Sequence, residues 1–390
     1  MSGAEPPKKK PLLLLLVGAK GAIGSTVAAA VATMRDHSEL VTPSLTTSSL
    51  GDWLGEFHVA GWDIDDASLS AAVQAHGVLA PDLWQPLVRE LNQLPIKTAP
   101  KSAEPLQEQI QRLVEDIELF KSRHPNASPV LVDLLPAGAA TDCRTCEQLD
   151  QLYRHADATA FPDLAYVLAA VFCGVPVVNF TPNEVEIPLV LREARQRGVP
   201  VAGRDGKTGQ TYLKVVLASA MKARNLIIDG WYSLNILGNA DGANLMDPRR
   251  AAGKLSHKTQ LLDDILGYRV GERYGVSAHK VHIDYYPPRG DAKEAWDAID
   301  FRGMFGLPMS LRVNLQGRDS ILAAPLVMDL SRWVAILKLA GRGGPVPELA
   351  FYFKRAVGNH PPLTFEDQLA TLRRLEAECR AQLAAEPAKA

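Results

Sequence analysis

Apolar residues run without a break from Leu12 to Val17, and Gly18 ends the run. A strand that is apolar at every position belongs in a parallel sheet with both faces covered. Residues 25–34 are rich in Ala and Val and predict a helix. Between the two, Gly18-Ala19-Lys20-Gly21-Ala22-Ile23-Gly24 predicts a turn. The alternation continues, with helices over 106–122, 165–172 and 186–196 and strands over 129–135, 175–180 and 199–202. Such alternation implies an α/β fold on a parallel sheet.

Beyond about residue 210 the texture changes. A helix is predicted over 212–224, then a strand over 226–236 whose alternation, with Trp231 and Tyr232, suits a half-exposed sheet. Further strands are predicted over 279–286 and, after Pro308, over 309–315. This stretch suits an α+β unit on an open sheet. From Ser320 the pattern is helical again, ending in a charged amphipathic helix over 364–383. The expected division is residues 1–211 plus 322–390 in one Rossmann-type domain, with 212–321 inserted as an α+β domain. Residues 1–10 and 384–390 are polar and expected to fray.

The glycine turn carries the first candidate chemistry. A strand, a GxxGxxG turn and a helix form the order that binds a dinucleotide. The first glycine permits the tight turn, the second admits phosphates to the backbone, and the third lets helix and strand pack. Gly18, Gly21, Ala22, Ile23, Gly24 and Ser25 are therefore the candidate cofactor residues. With the second strand placed ahead of Thr46-Thr47-Ser48-Ser49, Asp52 is the nearest acid for a ribose, and it does not separate NAD from NADP.

Composition narrows the partners. Lys plus Arg number 42 and Asp plus Glu 44, for a net charge of -2. No overall field draws the chain to nucleic acid or an anionic membrane. The run 12–17 is too short for a membrane span, and Lys20 inside the would-be apolar region argues against a secretory signal. Four cysteines, Cys143, Cys146, Cys173 and Cys379, make no disulfide framework and suit a reducing, cytoplasmic setting. Cys143 and Cys146 supply only half of a tetrahedral zinc site.

Lysines recur in glycine-rich settings. Lys254 and Lys258 share one face if helical, a spacing that is ordinarily a solvated surface. Lys293 follows Gly290-Asp291 after a proline-broken strand end, in an expected loop. Lys354 follows Phe351-Tyr352-Phe353, where desolvation can lower its pKa, although a snorkelling lysine fits as well.

Eight ordered segments resemble the myo-inositol-1-phosphate synthase family, in its compact prokaryotic or archaeal form. They are Gly61-Trp62-Asp63-Ile64, Val178-Asn179-Phe180-Thr181-Pro182, the stretch 202–211 containing Asp205-Gly206-Lys207-Thr208-Gly209-Gln210-Thr211, Ser233 to Gly242, Lys254 to Lys258, Gly290 to Lys293, Asp319 to Pro325, and Phe351 to Lys354. With the glycine turn the resemblance spans residues 18–354. It departs from the family at Asp133 to Gly138, where an Asn-Thr-Glu or Ser-Thr-Glu element is usual, and at Leu234 and Tyr212.

The resemblance implies an NAD-dependent isomerase acting on glucose 6-phosphate. Oxidation at C5 acidifies C6, the enolate attacks the C1 aldehyde, and the C5 ketone is reduced again. It implies Lys254, partnered by Asp205, at the C5 oxygen, and Thr208, Gly209 and Gln210 with Lys258 and Lys293 at the phosphate. Lys354 would assist proton transfer or polarise the forming oxyanion, and Asp319 would orient a lysine. Asp241 and Asp291 would meet the nicotinamide or a helper cation. The resemblance also implies a homotetramer built on the open sheet, binding a small-molecule substrate and neither nucleic acid nor membrane. Two rivals stay open: a related cyclase or dehydrogenase with another sugar phosphate, and a non-catalytic NAD-binding regulator.

Overall fold

The computed structural model describes residues 9–41, 45–101, 104–138, 162–247, 249–250 and 261–385. Its central strand is β1 (Lys10–Val17), with Leu12 to Val17 fully buried. Successive side chains point to opposite faces. Leu12, Leu14 and Leu16 thus enter one core, and Leu13, Leu15 and Val17 another. The unbroken apolar run exists because both faces are covered.

After β1 come α1 (Ala22–Asp36), β2 (Leu54–Asp63), α2 (Leu69–His76) and β3 (Ile96–Thr98). Then follow α3 (Leu106–Arg123), β4 (Ser128–Asp133), α4 (Asp163–Phe172), β5 (Val177–Asn179), α5 (Pro188–Gln196) and β6 (Pro200–Gly203). With β11 (Gly344–Pro345) these strands form a seven-stranded sheet in the order β11-β6-β5-β4-β1-β2-β3. Its pairings are parallel throughout.

A second sheet holds β7 (Ile227–Leu237), β8 (His279–Tyr285), β9 (Ala292–Arg302) and β10 (Pro308–Arg318) in the order β10-β9-β7-β8. Helix α6 (Gly209–Ala223) covers one face, packing Val215, Ala218 and Met221 on Ile228, Trp231 and Ile299. Tyr232 and Trp296 stand exposed on the other face. Helix α7 (Asp319–Leu339) then returns the chain to the first core, and α8 (Phe365–Ala385) closes the described chain.

Several expectations are corrected. The second strand is β2, which follows Thr46 to Ser49 instead of preceding them. Glycines and polar residues interrupt its apolar pattern, and Gly61 is required because a Cβ there would meet Leu16 O at 2.1 Å. Lys293 is the second residue of β9 and not in a loop. That strand escapes a hydrophobicity reading because its buried positions include Glu294 and Asp297 while Trp296 faces out. Among the described residues one segment, α7, is long and apolar enough to cross a membrane, but 72% of its apolar window is buried inside the fold, as in a core helix. Cys143 and Cys146 lie outside the described residues.

Candidate active site

A cavity of about 350 Å³ opens between the two sheets. The carboxyl ends of β1, β4, β5 and β6 reach it through Gly18, Leu134, Phe180 and Asp205, and β7 through Asn235 and Leu237. Ligands of open parallel sheets bind at such strand ends.

Gly18, Gly21, Ala22, Ile23 and Gly24 form one wall. Gly18 has φ +81°, a left-handed conformation that only glycine adopts without strain. A Cβ on Gly24 would lie 2.5 Å from Gly18 O, so the turn closes only around glycine. Gly21 caps α1 with no side-chain hydrogen bond, leaving the first-turn N–H groups toward the cavity. Ser25 lies one step inside α1, buried, with its amide bonded to Gly21 O, and is not part of the cavity wall. The acid at the end of the second strand is Asp63, whose carboxylate accepts from the Lys20 backbone N–H at 2.7 Å. Asp52, only a poor candidate on the sequence, precedes β2, which leaves Asp63 at the strand end as the candidate ribose acid. The signal was present in Gly61-Trp62-Asp63-Ile64 and was missed because β2 was misplaced.

The opposite wall carries two lysine–carboxylate pairs. After β6 the chain pairs, residue by residue, with the segment around Lys354: Arg204 N–H donates to Arg355 O, Lys354 N–H to Asp205 O and Lys207 N–H to Tyr352 O. This ladder sets Lys354 Nζ 2.6 Å from Asp205 Oδ1, with both side chains less than a tenth exposed. Asp205 itself has φ +62°. Across the cavity, Lys293 Nζ lies 3.0 Å from Asp319 Oδ2, and Thr208 Oγ1 donates to Asp319 Oδ1 at 3.2 Å. Asp319 opens α7, where the helix dipole favours a negative charge.

Gly209 and Gln210 open α6, so Gly209, Gln210 and Thr211 present first-turn N–H groups, a ready anion site. Thr208, Gln210 and Thr211 line the cavity, whereas Gly209 is not part of its lining. Asp291 and Asp241 also line it. Asp291 accepts from Ser320 Oγ at 3.1 Å, and burial raises its pKa. Asn235 and Asn239, from the matched segment Ser233 to Gly242, and Leu134, Leu135 and Pro136, from the divergent segment Asp133 to Gly138, also line the cavity, although sequence reasoning assigned none of them an individual role. Asp133, where the chain departs from the family, is fully buried; burial first, and Asp163 second, raise its pKa well above the usual carboxyl range.

Lys254 and Lys258 lie outside the described residues. Among the described residues no group of three or more His, Cys, Asp or Glu is arranged to hold a metal ion.

Fold and cavity together define an α/β protein of Rossmann type. The family profile described as Myo-inositol-1-phosphate synthase matches residues 209–320, which include α6, the second sheet and the start of α7. Inositol-3-phosphate synthase 1 of Bacteroides thetaiotaomicron is 43% identical over 195 residues, covering 50% of this chain and 46% of that protein. Inositol-3-phosphate synthase of Spirodela polyrhiza is 29% identical over 373 residues, covering 81% of this chain and 72% of that protein. The chain thus spans about half the length of the Bacteroides relative. The crystal structure of inositol-3-phosphate synthase from Caenorhabditis elegans superposes with a TM-score of 0.81 at 22% identity, over 95% of this chain and 86% of that one. A myo-inositol-1-phosphate synthase-related protein from Thermotoga maritima gives 0.75 at 20% identity, over 94% and 98%. At those identities the structures speak for the fold. Residues 209–320 thus match the myo-inositol-1-phosphate synthase profile, and the chain is similar to inositol-3-phosphate synthases over a wider span.

Proposed function

We propose that the chain is an NAD-dependent isomerase that converts glucose 6-phosphate to an inositol monophosphate without net redox change. One observation carries the reading: two lysine–carboxylate pairs and a helix N-terminus face a dinucleotide-type glycine turn across a single cavity. A pure NAD-binding regulator has no use for that second wall.

The glycine turn fits the cofactor, because its Gly24 position admits no Cβ and its helix end offers free N–H groups to a pyrophosphate. Gly18 to Gly24 would hold the phosphates, Asp63 the adenosine ribose, and Asp241 with Asp291 the nicotinamide end. Bound there, NAD supplies reversible oxidation at C5 of the sugar. The N–H groups of Gly209 and Gln210, with Thr208 and Lys293, receive the substrate phosphate. Lys354, held by Asp205, stands as the ammonium that hydrogen-bonds an oxygen whose charge rises during enolisation and ring closure. Its neutral form, reached by passing a proton to the substrate oxygen, takes the proton back when the charge is relieved. Asp319 directs Lys293 into the cavity. By their match to the family motif, Lys254 would act at the C5 oxygen and Lys258 at the phosphate.

We assign the seven-stranded sheet to cofactor binding, and residues 212–321 to catalysis and assembly. The exposed Tyr232 and Trp296 face is the surface we assign to homotetramer contacts in a cytoplasmic enzyme. Phosphorus NMR of the protein incubated with glucose 6-phosphate and catalytic NAD⁺ tests the reading. An inositol monophosphate with no accumulated NADH is expected. Full recovery of glucose 6-phosphate would overturn the substrate and point to another sugar phosphate.

A further inference from the structure

Behind the cavity wall, on the side of the second sheet, lies a buried polar chain that substrate binding by backbone amides does not explain. Asp297 sits in the middle of β9 on its covered face, buried and absent from the cavity lining. Its Oδ1 accepts from Trp231 Nε1 at 2.7 Å and from Ser233 Oγ at 2.5 Å. Its Oδ2 accepts from the Gln210 side-chain Nε2 at 3.0 Å. Lys214 Nζ, 3.1 Å from Ser233 Oγ and 2.7 Å from His279 Nε2, places a buried ammonium at the far end.

A carboxylate only accepts hydrogen bonds. The Gln210 amide must therefore turn its NH₂ to Asp297. Its carbonyl oxygen is then the side-chain polar atom left on the cavity side, where Gln210 forms part of the wall. A carbonyl oxygen repels a phosphate and accepts from a hydroxyl. Gln210 thus has two opposite ends: a backbone N–H at the first turn of α6 for an anion, and a side-chain acceptor for a neighbouring donor.

We propose that Asp297 is a positioning residue which locks the Gln210 amide with its oxygen toward the cavity, so that Gln210 reads a hydroxyl of a phosphorylated polyol while the helix N-terminus takes the phosphate. The inference deepens the sugar-phosphate reading and rests on it.

Replacing Asp297 by Asn inverts the wall. Trp231 Nε1 and the Ser233 hydroxyl keep the Asn oxygen, so its NH₂ meets Gln210 and turns that amide round. An N–H then faces the cavity where an oxygen stood. The test titrates the full chain, with NAD⁺ present, with D-glucitol 6-phosphate and with inorganic phosphate by calorimetry. The readout is the ratio of their affinities. In D297N the preference for the polyol phosphate falls about tenfold, the worth of one buried hydrogen bond exchanged for a clash. Inorganic phosphate holds its affinity or gains. A purely structural role would weaken both ligands together and leave the ratio alone. The charge-conserving swap D297N/Q210E restores an acceptor to the cavity, and the ratio recovers. Should D297N not fold, Gln210→Met, which leaves Asp297 in place, loses the same preference. An unchanged ratio in D297N or Q210M overturns the proposal. Wild-type protein with no preference for glucitol 6-phosphate over phosphate would instead overturn the sugar-phosphate reading itself.

Discussion

The cavity holds two lysine–carboxylate pairs built in different ways. Lys354 and Asp205 sit on two backbone segments that are hydrogen-bonded to each other, and both side chains are withdrawn from solvent. Lys293 and Asp319 sit at the start of a strand and the start of a helix, and Asp319 is 27% exposed. The first pair is part of the fold as much as of the site. Its ammonium must balance a buried carboxylate before it can do chemistry. The second also joins paired segments, since Lys293 of β9 lies opposite Gly317 of β10 and Asp319 follows that strand, but its carboxylate is partly solvated, so its lysine can follow an anion into the cavity at less cost to the scaffold.

That contrast predicts different failures. Lys354→Met removes the ammonium opposite a buried carboxylate, a loss of about 3 kcal/mol in unfolding free energy. It also removes the proton-handling group, for a fall of about a thousandfold in kcat. Urea unfolding and turnover of the same preparation check both. Wild-type stability with lost turnover would show that the ladder alone holds Asp205, and the two pairs would then be alike.

Lys293→Ala touches the looser pair. Unfolding free energy changes by about 1 kcal/mol or less, since Asp319 keeps Thr208 and the α7 dipole and the pair is partly solvated. The effect falls instead on the substrate, with KM rising about a hundredfold as one charge-assisted contact to phosphate is lost. An equal loss of stability in both variants would erase the distinction.

Legibility along the chain follows the same division. The first sheet was readable because its strands are apolar on both faces, as in Leu12 to Val17, and its glycine turn has a fixed place between strand and helix. The strand β9 was not, because Asp297 and Glu294 occupy buried positions and Trp296 an exposed one. Its inward carboxylate is there for Gln210, Trp231 and Ser233, a reason that exists only in three dimensions. Lys293 was singled out from its motif but assigned to a loop for the same cause. Asp63 was passed over by an error of strand placement, which moved the search for the ribose acid upstream of β2. The pairing of Asp205 with Lys354, 149 residues apart, had no local signal at all.

A third lysine sharpens the contrast, because it has the burial of Lys354 without a carboxylate. Lys207 lies two residues from Asp205, and its Nζ donates to Ala350 O at 3.0 Å and Gln368 Oε1 at 2.8 Å. Burial with neutral partners pushes its pKa down from 10.5 to about 7. Between those values the unfolded chain binds more protons than the folded one, so this lysine makes stability rise with pH. Its contribution is complete only above the unfolded value and is lost as pH falls through about 7. Asp133 and Asp163, whose pKa values burial raises, slope the other way. Lys214, lowered to about 8, adds to the rise. The Lys207 share is therefore read as a difference. From pH 7 to pH 9 the unfolding free energy of wild type should gain about 2 kcal/mol relative to Lys207→Met. Parallel urea-unfolding curves for the two proteins across that range would mean that Lys207 stays charged when buried, and that it needs no carboxylate to do so.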